Sequence, residues 1–64
     1  MKYTTDDINI DDKVYFEMPS VNNYDLYWTV KQKGEKWLRL EIKEMGVRDT
    51  KLVEIEYIKN KLCN

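Results

Sequence analysis

The sequence predicts an all-β fold: a small SH3-like antiparallel barrel of about five strands with a short C-terminal 3-10 or helical turn. Three observations predict it. Apolar and polar residues alternate over several short runs, which is the two-residue period of a half-buried strand. Turn-forming Pro, Gly, Asn and Asp fall between those runs. The chain has 64 residues, enough for one domain spanning 1–64, and strands in so small a unit leave few exposed edges only by closing on one another.

The opening "MKYTTDDINIDD" is polar and acidic, with Ile8 and Ile10 alternating as though along a barrel edge. After a turn at Asp11-Asp12 comes "KVYFEM", where Val14, Phe16 and Met18 share one face and Lys13, Tyr15 and Glu17 the other. Pro19 cannot donate to a ladder and ends this strand. "PSVNN" reads as loop.

The second strand is predicted from Tyr24 to Lys33, with Tyr24, Leu26, Trp28 and Val30 inward. The third runs from Trp37 to Glu44, with Leu38, Leu40 and Ile42 inward. Strand period then decides their pairing, because even-numbered residues must oppose even-numbered ones to keep one face apolar. A three-residue loop, Gly34-Glu35-Lys36, satisfies this. It pairs Val30 with Leu40 and Trp28 with Ile42 inside. Outside it pairs Lys33 with Trp37, Lys31 with Arg39 and Thr29 with Glu41.

A turn around "MGVRDT" leads to "KLVEIEY", with Val53, Ile55 and Tyr57 inward and Glu54 and Glu56 outward. Pairing Ile42 with Val53 and Leu40 with Ile55 keeps the cores together and sets Arg39 against Glu56. The segment 52–62 carries two patterns. Strict alternation indicates a strand followed by a turn, whereas Leu52, Ile55, Ile58 and Leu62 are spaced for one helix face.

The order of these elements resembles the SH3-like small β-barrels. "INIDDKVYF" is similar to the lead-in to their first strand, "YWTVKQKGEKWLRLEI" to their middle hairpin, and "VEIEYIKNKL" to their last strand with its turn. The likeness covers about residues 8–62, and Asp11 stands where such domains carry a glycine. It implies a binding module. It does not imply one ligand, since such folds host peptide, methyl-lysine, RNA, DNA and ribosome binding.

Composition removes most chemistry. The chain has no histidine, so neither Ser-His-Asp nor Cys-His catalysis is expected. Gly34 and Gly46 are the only glycines, too few for a phosphate-cradling loop. The single Cys63 forms no intramolecular disulfide and reads as an incidental thiol. "DINID" matches the first half of a calcium loop, but Asp12 and Met18 stand where the loop needs glycine and glutamate. No enzyme, cofactor or metal is therefore expected. No apolar run approaches the roughly 18 residues of a membrane span, so no membrane partner is expected. A cytoplasmic location follows by elimination.

Two surfaces are candidates for binding. Lys31, Lys33, Arg39 and Trp37, with Lys36 at the hairpin tip, would form a basic patch with an aromatic on which a phosphate backbone and a stacking base could lie. Tyr15 and Tyr27, near Tyr24 and Trp28, would line a groove for a peptide or a cation. Net charge is −1, with nine of eleven basic residues in 28–64 and six of twelve acids in 1–27. Phosphate binding ordinarily shows as a basic domain. A protein partner is thus expected ahead of nucleic acid. In size and plainness the chain is also similar to small phage and mobile-element proteins, some of which obstruct a host protein.

Overall fold

The computed structural model describes residues 3–62. Five antiparallel strands make one sheet: β1 (Lys13–Phe16), β2 (Trp28–Lys33), β3 (Trp37–Glu44), β4 (Val47–Glu54) and β5 (Ile58–Leu62). Their order is β4-β3-β2-β1-β5, so the last strand returns to lie beside the first and β4 and β5 form the edges. Among the described residues the only helical pieces are 3-10 turns at Thr5–Asp7 and Ile55–Tyr57. None is long and apolar enough to cross a membrane. Cys63 lies outside the described residues.

The inward set follows from the alternation. Val14 and Phe16 of β1, Trp28 and Val30 of β2, Leu38, Leu40 and Ile42 of β3, and Val53 of β4 are all buried. Trp28 is the largest of them and meets Phe16 edge-on, with ring centroids 5.3 Å apart. Its indole N–H donates to the Asn23 carbonyl at 3.0 Å, so the one polar atom it takes into the core is satisfied. The Asn23 side chain anchors the same loop from the other side. Its Nδ2 donates to the Phe16 carbonyl at 2.6 Å and its Oδ1 accepts from the Asp25 N–H at 2.9 Å.

Four expectations need correction. The second strand begins at Trp28, because Tyr24 and Asp25 adopt left-handed φ of 57° and 54°, which no strand tolerates. Tyr24 therefore lies 38% exposed, stacked over Trp28 at 6.1 Å. Ile8 is buried, but Ile10 is exposed, because Asp11 at φ 75° turns the chain between Ile10 and β1.

The fourth strand starts early. Met45 and Gly46, at φ 52° and 80°, form a two-residue turn of the mirror-image kind that suits the twist of a hairpin. Glu44 then pairs with Val47, Leu38 with Val53 and Arg39 with Leu52, replacing the Ile42–Val53, Leu40–Ile55 and Arg39–Glu56 pairs. Lastly, the segment 52–62 is not one helix. Ile55 and Tyr57 sit half-buried in the second 3-10 turn, and Ile58–Leu62 form a strand on β1, so the turn precedes the last strand.

Candidate functional site

The β2–β3 hairpin keeps its predicted parity by a different device. At the tip the Gly34 N–H donates to the Trp37 carbonyl at 2.9 Å, leaving only Glu35 and Lys36 in the turn. Lys33 then pairs with Leu38 and Gln32 with Arg39, a register that would bring outward residues opposite inward ones. A bulge at Lys31 inserts one residue and restores Val30 opposite Leu40 and Thr29 opposite Glu41. The extra residue is thus in the strand and not in the loop. The predicted Lys31–Arg39 and Lys33–Trp37 pairs do not form.

This redistributes the basic hairpin. The Lys33 ammonium donates to the Thr5 carbonyl at 3.0 Å and the Ile8 carbonyl at 2.7 Å, pinning the N-terminal segment to the sheet. Thr5 Oγ1 donates to the Glu35 carbonyl at 3.0 Å, a second tie to the same tip. Trp37 lies half-buried with its indole across Gly34, where a Cβ would overlap Cε2, Nε1 and Cζ2. Lys36 is exposed and its carbonyl accepts the Ile55 N–H at 2.9 Å. Arg39 is exposed, between Gln32 on one side and the 62% exposed Leu52 on the other.

Tyr27 meets Tyr15 on one side and shares a groove with Lys31 on the other. The two tyrosine rings meet at 5.7 Å and 50° on the outer face of β1 and the chain leading into β2. Tyr15 donates to Asp25 Oδ1 at 3.4 Å, and Tyr27 Oη accepts from Asn60 Nδ2 at 2.7 Å. Tyr27 then forms one wall of a groove of about 210 Å³. Its other lining includes Lys13, Thr29, Lys31, Lys43, Glu41 and Glu44. The groove runs over a row of cross-strand neighbours: Lys13 faces Thr29, and Thr29 faces Glu41. Both signs of charge are present at its end, where Lys13 Nζ lies 3.8 Å from Glu44 Oε1.

The seven predicted residues therefore separate into two groups. Tyr27 and Lys31 line the outer-face groove, and Tyr15 packs against Tyr27 beside it. Lys33, Lys36 and Trp37 cluster at the hairpin tip, and Arg39 stands beside Leu52. Sequence reasoning missed Lys13, Glu41, Lys43 and Glu44 as groove residues. For Lys13, Glu41 and Lys43 the signal was there in their outward parity, but it needed the β1–β2 register, which the long loop 17–27 hides. Glu44, at the end of β3, has the inward parity and gave no such signal.

The acidic opening serves the fold. Asp7 Oδ2 accepts from the Thr4 N–H at 2.9 Å and from Thr4 Oγ1 at 3.1 Å, and these bonds hold its carboxyl below its usual range. Asp12 accepts the Asn9 N–H at 2.8 Å and lies 3.7 Å from Lys61 Nζ. Among the described residues no cluster of three or more His, Cys, Asp or Glu side chains could hold a metal ion. No family model, curated protein or solved structure matches this chain.

Proposed function

We propose that the chain is an SH3-like barrel acting as a non-catalytic protein-interaction module in the cytoplasm, and that the Tyr15–Tyr27 groove is its binding surface. The 3-10 turn leading into the last strand, and the return of that strand to β1, support the SH3-like reading. The observation that carries the functional reading is the lining of the groove. Three lysines, two glutamates and Tyr27 line it, and Tyr15 packs against Tyr27 beside it. A phosphate backbone asks for a surface of one sign. A protein partner suits both signs around an aromatic anchor, since charge complementarity then sets orientation and a desolvated ring supplies affinity.

The hairpin tip supports the same choice. Lys33 is engaged with two backbone carbonyls, so the basic stripe available to phosphates is shorter than the sequence suggested. A module of this size and plainness suits a phage or mobile-element protein that binds and obstructs a host protein. Affinity capture from the native host tests the reading, with bound protein and nucleic acid both identified. A protein retained by the wild type and lost by folded Tyr27→Ala and Lys31→Glu variants is the expected result. Capture of nucleic acid alone, indifferent to both substitutions, would overturn it.

A further inference from the structure

The open edge at β4 is the longest strand edge of the molecule, eight residues from Val47 to Glu54. Among the described residues no backbone hydrogen bond joins it to anything but β3. The turn at Met45–Gly46 makes Glu44 and Val47 a hydrogen-bonded pair, and such pairs then alternate along an antiparallel ladder. Val47, Asp49, Lys51 and Val53 therefore bond to β3. Arg48, Thr50, Leu52 and Glu54 turn their N–H and C=O groups to the open side. One hydrogen bond agrees directly: the Thr50 N–H donates to Asp49 Oδ1 at 2.8 Å, away from β3. Leu52, 62% exposed, adds apolar surface on the outer face of the same edge.

We infer that this edge pairs with β4 of a second copy of the chain, antiparallel, about a two-fold axis through Thr50. The charges on the strand choose both the partner and the register. A two-fold normal to the sheet keeps inner faces together, so edge-directed residues must oppose edge-directed residues. An axis through Lys51 sets Lys51 against itself, and one through Asp49 sets Asp49 against itself. Both place like charges directly opposite, which destabilises a strand pair. An axis through Thr50 sets Asp49 against the partner subunit's Lys51, and Lys51 against the partner subunit's Asp49. The same register opposes Val47 to the partner subunit's Val53 on the inner face, and Leu52 to the partner subunit's Arg48 on the outer face.

Within one chain Asp49 already sits 3.2 Å from Lys51, so both ends of the exchanged pair are in place before association. On pairing, the Thr50 N–H passes from Asp49 Oδ1 to the carbonyl of the partner subunit's Thr50. Asp49 Oδ1 is then released to face the partner subunit's Lys51, while Oδ2 still accepts from the Tyr24 hydroxyl at 3.4 Å. The result is a continuous sheet of ten strands, built from two five-stranded halves.

Sedimentation equilibrium over a dilution series tests this. The wild type is expected to double in mass at the high end of the series. D49K alone and K51D alone should each stay monomeric, since each gathers charge of one sign at the centre of the edge. An equimolar mixture of the two should recover the doubled mass, because each basic edge then meets an acidic one, and the D49K/K51D double variant should recover it alone. If either single variant fails to fold by far-ultraviolet circular dichroism, T50K replaces it. Residue 50 is exposed, and on the axis the introduced charge meets its own copy, so T50K should remain monomeric. A wild type that is monomeric throughout, or an association that D49K, K51D and T50K all leave unchanged, would overturn the inference.

Discussion

The indole of Trp37 lies against Gly34, in the space where any other residue would carry its Cβ. Gly34 has no left-handed φ, so the glycine is there to make room for the ring and not to permit a turn. A Gly34→Ala variant should therefore displace the indole, raise the exposure of Trp37 and lower stability by about 1–2 kcal/mol, the cost of overpacking. A red-shifted tryptophan emission together with a lower melting temperature is the expected readout. Trp28 is fully buried and serves as the internal reference.

Lys33 should behave as a structural residue. Its ammonium is shared between the Thr5 and Ile8 carbonyls, and Ile8 is part of the core. Lys33→Met keeps the aliphatic stem and removes both bonds. Because the side chain is largely solvated, roughly 1 kcal/mol of destabilisation is expected, below the usual value for bonds to a charged group. Lys36→Met, three residues away at the tip, should leave the melting temperature unchanged. Equal effects of the two substitutions would refute the assigned role of Lys33.

Leu40 is fully buried at the centre of β3, opposite Val30 and beside Lys51. Leu40→Ala should cost about 2–5 kcal/mol through the transfer energy forfeited and the cavity left behind. That is a large share of the stability of a domain this small. Denaturant titration should show the midpoint collapse. A shift no larger than that of an exposed residue such as Lys59→Ala would mean that Leu40 is not central.

Acid should weaken the fold through two carboxylates. Hydrogen bonds from Thr4 lower the pKa of Asp7, and a bond from Lys51 lowers that of Asp49, both from the ordinary 3.8. A carboxylate with a depressed folded pKa is protonated first in the unfolded chain. Its contribution is present above 3.8 and is lost as pH falls through the lower, folded value. The melting temperature should thus be flat with respect to these groups near neutrality and fall below pH 3.8. Asp7→Asn and Asp49→Asn should each flatten that fall, and an unchanged acid limb in both would contradict the assignment.

How far this was legible in the sequence depends on the length scale of each feature. Alternation over β1, β2 and β3 is a local pattern, and it placed Val14, Phe16, Trp28, Val30, Leu38, Leu40 and Ile42 in the core. The parity rule identified the Val30–Leu40 and Thr29–Glu41 pairs. It could not distinguish an extra loop residue from a bulge, because both add one residue, and the bulge at Lys31 moved every outward neighbour nearer the tip. Tyr24 alternates perfectly with Leu26 and Trp28. Only the Asn22 and Asn23 side chains, which accept from the N–H groups of Tyr24 and Asp25, reveal that the chain turns there. The Met45–Gly46 turn was half visible, since Gly46 is a usual resident of such turns while Met45 is not. The groove was least legible. It joins Lys13, Lys31 and Lys43 from three strands with Tyr27 just ahead of β2, and their proximity depends on a β1–β2 register that no local pattern carries.

The most direct measurement is a salt titration of binding to random single- and double-stranded oligonucleotides, with the wild type beside a K31Q/K36Q/R39Q variant. These three are exposed cations of the hairpin within the predicted patch and hold no backbone carbonyl among the described residues, so the variant probes phosphate binding without loosening the Lys33 tie. A protein-interaction module predicts weak binding at physiological salt, shallow in its salt dependence and little changed in the variant. Submicromolar binding with a steep slope would contradict it, if the variant flattens that slope by about one unit for each phosphate it no longer neutralises.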